Sequence, residues 1–228
     1  MKQILWNTFC DRYDILGSCV PLFATNEQGR VDQKPIGVDG RPVLKRSELC
    51  ETMILDVSDR LVEDWSSGSH LFDGMLYMIG WKRQNSLLPL YIGKAETLGK
   101  GGMNLSANLK NLHTDRTKFA RWGDGYSYHI GDLSACVLPS HAERKKTIKY
   151  QSWANCLFLE GSSLREQVYF WATAWKPTQI GVWEEYGATP LAFLEYMLIG
   201  VAGHISPQLL NREGQSRHRS APFSNQPV

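Results

Sequence analysis

Gly74-Met75-Leu76-Tyr77-Met78-Ile79-Gly80 and, after a polar Lys82-Arg83-Gln84-Asn85-Ser86 turn, Leu87-Leu88-Pro89-Leu90-Tyr91-Ile92-Gly93-Lys94 decide the fold. Each run is apolar enough for a buried strand, and the short connection between them predicts a β-hairpin. Tyr77 and Tyr91 lie fourteen residues apart, one on each strand. Pro89 cannot donate to a ladder, which puts the start of the second strand near a sheet edge. Gly93 permits a close backbone approach or a sharp turn out of the strand. By themselves these features also suit two core tyrosines in an ordinary hairpin.

Outward from the hairpin, the chain divides into parts. Residues 1–46 carry the turn signals Asn26-Glu27-Gln28-Gly29 and Val38-Asp39-Gly40 and read as short strands and loops. Residues 47–65 read as a helix, with Ser47 as N-cap and Leu49, Met53, Val57, Leu61 and Trp65 recurring every four residues. Together they form an N-terminal extension over 1–69. Residues 70–212 hold everything with chemical character, and 213–228 read as a flexible basic tail. Val168-Tyr169-Phe170-Trp171-Ala172-Thr173-Ala174-Trp175 reads as a third strand. The segment 132–165 reads as an insertion, with extra strands over 127–137 and 153–159.

Composition narrows the function class. Of 228 residues, 43% are hydrophobic, and eight Trp, nine Tyr and eight Phe argue for a packed core rather than disorder. No run approaches the 18 or so apolar residues of a membrane span. Polar residues interrupt the start of the chain before a signal peptide can form, so a cytoplasmic location is expected. Five cysteines, odd in number and with no C-x-x-C pair, fit reduced buried thiols better than disulfides. A zinc site from Cys136 or Cys156 with His129 or His141 has no support in the spacing.

A net charge of +2 is uninformative, but its distribution is not. Residues 1–74 carry eight basic against twelve acidic side chains, and residues 82–121 carry eight basic against two acidic. A second cluster runs Arg144-Lys145-Lys146-Thr147-Ile148-Lys149, and Arg212, Arg217 and Arg219 mark the tail. Basic residues interleaved with Trp81, Phe119, Trp122, Tyr126 and Tyr128 suit a phosphate-tracking surface, although each cluster alone reads equally as a solvated face. Arg116, Lys118, Arg144, Lys145, Lys146 and Lys149 are the candidate nucleic-acid contacts.

Glu195 sits within Leu191-Ala192-Phe193-Leu194-Glu195-Tyr196-Met197-Leu198-Ile199, an apolar helical stretch where an unpaired carboxylate is costly. A glutamate so placed is salt-bridged or carries a metal. A single hard carboxylate suits Mg²⁺, which keeps several waters and takes further oxygens from substrate phosphate.

The hairpin wording, this helix and the ensuing Pro207-Gln208-Leu209-Leu210-Asn211 together resemble the GIY-YIG nuclease superfamily. Tyr91-Ile92-Gly93 matches the second half of its paired signature outright. The first half is looser, because one residue separates Gly74-Met75 from Tyr77. The resemblance covers roughly residues 72–131 and 166–212. It implies an α/β (α+β) fold, with a small, mixed, mainly antiparallel sheet flanked by helices. It also implies a Mg²⁺-dependent DNA endonuclease, with Mn²⁺ as a substitute metal. Tyr77 is then the general base or its relay, and Tyr91 hydrogen-bonds the same water. Glu195 is the metal ligand, and Asn211 positions the helix end or the phosphate.

The family's arginine is displaced here. Leu105–His113, the helix-like stretch after the second strand, has Asn108 near its place. Arg121, between Phe119 and Trp122, is favoured over Arg116 as the residue that neutralises phosphate. Lys94 adds positive field, and His113 and His129 are secondary candidates. Cutting both strands with one site calls for a homodimer or two successive events, and a role in restriction or phage defence is expected. Two rivals stay open. One is a non-catalytic nucleic-acid-binding module on the same fold, favoured by the loosened first motif. The other is an unrelated α/β interaction protein whose tyrosines are core.

Overall fold

The computed structural model describes residues 1–99, 102–110, 112, 130–143 and 146–211. In chain order these form α1 (Lys2–Arg12), α2 (Ile15–Ser18), β1 (Val20–Pro21), β2 (Gln33–Ile36), β3 (Arg41–Leu44), α3 (Glu48–Ser67), β4 (Gly74–Lys82) and β5 (Leu87–Glu96). They continue with α4 (Ala107–Lys110), α5 (Ile130–Val137), α6 (Ile148–Leu157), β6 (Tyr169–Trp175) and α7 (Leu191–Ile205). The architecture is mixed α/β, built on a four-stranded antiparallel sheet in the order β1-β6-β4-β5. A separate β2–β3 hairpin lies outside it.

Strand alternation gives this sheet two buried faces. Met75, Ile79 and Phe170 face α3, α5 and α6, in a core that includes Leu61 and Trp153. Leu76, Met78 and Trp171 face α1 and α7, in a core that includes Trp6 and Leu198. The buried indole N–H groups of Trp6 and Trp175 donate to the carbonyls of Leu87 (2.9 Å) and Thr189 (2.7 Å), so neither leaves a polar atom stranded.

The ends of α3 fix where β4 begins. The Ser47 hydroxyl accepts from the Cys50 N–H at 3.0 Å, and Glu48 and Glu51 favour the positive end of the helix. Arg46, fully buried, is ion-paired with Glu51. Gly68, at φ 75°, closes the helix in the left-handed conformation. Asp64 is buried, and its carboxylate accepts from the N–H groups of Leu71 and Phe72, steering the chain into β4.

Two expectations are corrected. The first eighteen residues are not strands and loops but mostly helix, because Trp6, Phe9 and Cys10 bury one face at helical spacing. The insertion carries no extra strands in its described residues: residues 130–137 form helix α5, and residues 153–157 are the last turns of helix α6. Tyr150, Trp153, Ala154 and Leu157 are buried at i, i+3, i+4 and i+7, a helical stripe. The residues before β4 are also knit into the main sheet, since β1 pairs with β6 and α1 packs on α7.

None of the five cysteines forms a disulfide, all are at least half-buried, and burial pushes the Cys10 and Cys50 thiols up to about 12. These two thiols are protonated and unreactive at neutral pH. Among the described residues no helix is long and apolar enough to cross a membrane.

Candidate functional site

The site grows from the register of the hairpin. Tyr77 pairs with Gly93, and Ile79 with Tyr91, so both tyrosines stand on one face of the sheet at its β5 edge. A Cβ on Gly93 would lie 2.4 Å from the Cζ of Tyr77 and 2.5 Å from its hydroxyl oxygen. Only glycine leaves room for the ring to cross the edge strand. Phe170 stacks on Tyr77 at 6.2 Å, and the Tyr91 ring lies 6.2 Å away on a tilted plane. Tyr91 in turn packs against Trp153 of α6 at 4.8 Å.

Glu195 approaches the same phenols from α7. Tyr77 is half-buried as a residue, and burial of its phenol pushes its pKa well above the ordinary tyrosine value. The negative charges of an ionised Tyr91 or Glu195 push it further in the same direction, as does a hydrogen bond with Tyr91. Tyr77 is therefore a neutral phenol at pH 7.

A cleft of about 380 Å³ opens beside this group, lined by Tyr91, Lys149, Glu195, Tyr196, Leu210 and Asn211. The Lys149 ammonium lies 5.8 Å from the Tyr91 ring centroid and 5.3 Å from that of Tyr150, at cation–π range. Asn211 is buried, and its amide is committed to β5: Oδ1 accepts from the Ile92 N–H at 3.0 Å, and Nδ2 donates to the Ile92 carbonyl at 2.7 Å. It anchors the segment after α7 to the edge strand and so fixes the floor of the cleft.

The structure thus brings Tyr77, Tyr91, Glu195, Asn211 and Lys149 together from β4, β5, α7, the segment beyond α7, and α6. It separates Lys94 from the tyrosines. Lys94 pairs with Leu76, on the opposite face of the sheet from Tyr77, and forms an ion pair with Glu96. Expecting Lys94 in the tyrosine pocket ignored the one-residue alternation that sends it the other way. Lys146 pairs with Glu143 at the surface. Arg116, Lys118, Arg121, Arg144 and Lys145 lie outside the described residues, as do His113 and His129.

One residue that lines the cleft and one that supports it escaped the sequence. Tyr196 gave no signal beyond its place after Glu195. Trp153, which holds Tyr91, was discoverable from the helical stripe of α6.

No group of three or more His, Cys, Asp and Glu suited to a metal occurs among the described residues. The cleft supplies one carboxylate, Glu195, beside the Tyr91 phenol, while the Asn211 amide is already committed. This donor set suits a hard cation that completes its shell with water and substrate oxygens, and it is too poor in nitrogen and sulfur for zinc. No protein-family model, curated protein or solved structure matches the chain.

Proposed function

We propose that the chain is a Mg²⁺-dependent DNA endonuclease of GIY-YIG type that hydrolyses phosphodiester bonds in the Tyr91–Glu195 cleft. One observation carries this reading: two phenols and a carboxylate from three separate elements converge at the β5 edge of the sheet, beside a lysine. A hydrophobic core has no use for that grouping.

Hydrolysis needs an oriented water and neutralisation of the charge that builds on the phosphate. Glu195 would hold Mg²⁺, which would supply part of that neutralisation when bound. Tyr77 stays protonated and works as a hydrogen-bonding relay, because a phenol this far above its ordinary pKa is not a free base at pH 7. Tyr91 bonds to Tyr77 and orients the same water from the cleft side. Lys149 supplies the positive charge that sequence reasoning had sought from Lys94. Arg121 supplies the guanidinium by resemblance alone.

The raised Tyr77 pKa also suits a second reading, in which the cleft binds DNA without cutting it. A plasmid-nicking assay with Mg²⁺, with EDTA and with Glu195→Gln separates the two. Nicking that needs both Mg²⁺ and Glu195 is expected. DNA binding without nicking in any lane supports the binding module, and neither binding nor nicking sinks both.

A further inference from the structure

A second cavity, of about 580 Å³, lies where the end of α3, the entry to β4, the exit from β5 and the start of α7 meet. It shares Ala192 of α7 with the Tyr91–Glu195 cleft, so the two are neighbours along one helix. Its size falls in the range of small-molecule sites, about 300–1,000 Å³.

The walls are aromatic and the polar groups are acidic. Trp65 and His70 meet edge to face with ring centroids 4.7 Å apart. Phe72 adds a third ring, with the Lys176 ammonium 5.1 Å from its centroid. Asp73 Oδ2 accepts from the Leu191 N–H at 2.9 Å, so the positive end of α7 is already satisfied by the protein's own carboxylate. Glu96 lines the same cavity and is exposed; Lys94 pairs with its Oε1, and a carboxylate has further lone pairs to offer a second donor. Asp73 and Glu96 bring carboxylates to the lining, Glu96 with Lys94 as counter-ion, so among the described residues no lining side chain is left as an unopposed cation for a phosphate, while three rings favour a flat, uncharged group. Carboxylates accept hydrogen bonds from amino groups, which adenine, cytosine and guanine carry and thymine lacks.

We infer that this cavity receives an unpaired nucleobase bearing an exocyclic amino group, from the strand held in the adjacent cleft. Trp65 is its stacking surface and Glu96 accepts from its amino group. This inference rests on the nucleic-acid reading of the cleft but not on cleavage.

The test is fluorescence anisotropy in EDTA, with the full chain and labelled single-stranded 12-mers that differ only at a central adenine, cytosine, thymine or abasic position. Adenine and cytosine are expected to bind at least about fivefold tighter than thymine or the abasic strand, the low end of base stacking and base-edge discrimination. Trp65→Ala should erase the difference and Trp65→Phe should keep part of it, with unchanged melting temperatures. Glu96→Ala, a surface change, should bring adenine and thymine together even if Trp65→Ala does not fold. Equal binding of all four strands by the wild type, or discrimination that survives both Glu96→Ala and a folded Trp65→Ala, overturns the inference. Competition by free dCMP at concentrations as low as the oligonucleotide's also overturns it, by assigning the cavity to a free nucleotide. Discrimination in EDTA beside a complete lack of nicking refutes the nuclease alone.

Discussion

The Tyr77 ring lies directly over Gly93 on the neighbouring strand, so close that a methyl group there would overlap its Cζ and hydroxyl. The missing side chain on β5 is what lets a residue of β4 present its phenol at the sheet edge, beside Tyr91 and Glu195.

Gly93→Ala is therefore expected to displace the ring rather than merely stiffen the strand. Overpacking of this kind costs about 1–3 kcal/mol. Thermal melting should show that loss, and Mg²⁺-dependent nicking should fall at least about tenfold, roughly 1.4 kcal/mol of barrier. A variant with wild-type melting and activity would mean that the phenol's position over Gly93 is unimportant.

Asn211→Ala should act on the fold first. Removing the amide strands the N–H and carbonyl of Ile92, at about 1–3 kcal/mol for each buried group left unpaired. Hydrogen exchange at the Ile92 amide should rise sharply while exchange in β6 stays slow. Unchanged protection at Ile92 would show that the segment after α7 is held by its other contacts.

Tyr77 sets a pH dependence with a definite sign. Its folded-state pKa is raised above the ordinary tyrosine value of about 10. The stability this gives is complete below that value and is lost as pH rises through the folded-state pKa. Tyrosine titration by ultraviolet difference absorbance should show a late step that Tyr77→Phe removes. Glu195→Gln should move that step downward, since the Glu195 charge is one of its causes. No movement in Glu195→Gln would place the carboxylate too far from Tyr77 to share its chemistry.

Lys149→Ala tests the cleft's cation. If Lys149 meets a phosphate of duplex DNA, its loss should flatten the slope of log K against log salt by about 0.9. The Tyr91 environment should change little, because Trp153 still packs on that ring. An unchanged slope would confine Lys149 to its contacts with Tyr91 and Tyr150.

The hairpin, the strand at 169–175 and the helix bearing Glu195 were legible because each is a long apolar run with clear punctuation. Residues 130–137 and 153–157 read as strands in the sequence and fold as helix. In α5, Leu133, Ser134 and Ala135 are buried in succession, a pattern that settles neither period. In α6 the helical stripe begins at Tyr150, upstream of the strand-like run that starts at Trp153. Lys94 was misplaced for a different reason: its face follows from the pairing of Tyr77 with Gly93, and register across a turn is not written in either strand alone. Lys149 could not be brought to Tyr91 before α6 was known to be a helix.

The edge of β5 also bears on how the molecule stays separate from others. Unpaired N–H and C=O groups on an outer strand invite a second chain to extend the sheet. Here the Leu210 N–H donates to the Leu90 carbonyl, and the Asn211 amide takes both backbone groups of Ile92. The segment that floors the cleft is thus also a stopper, occupying the rung where a foreign strand would dock. Releasing it would expose a template for strand addition beside Tyr91, coupling damage to the cleft with self-association.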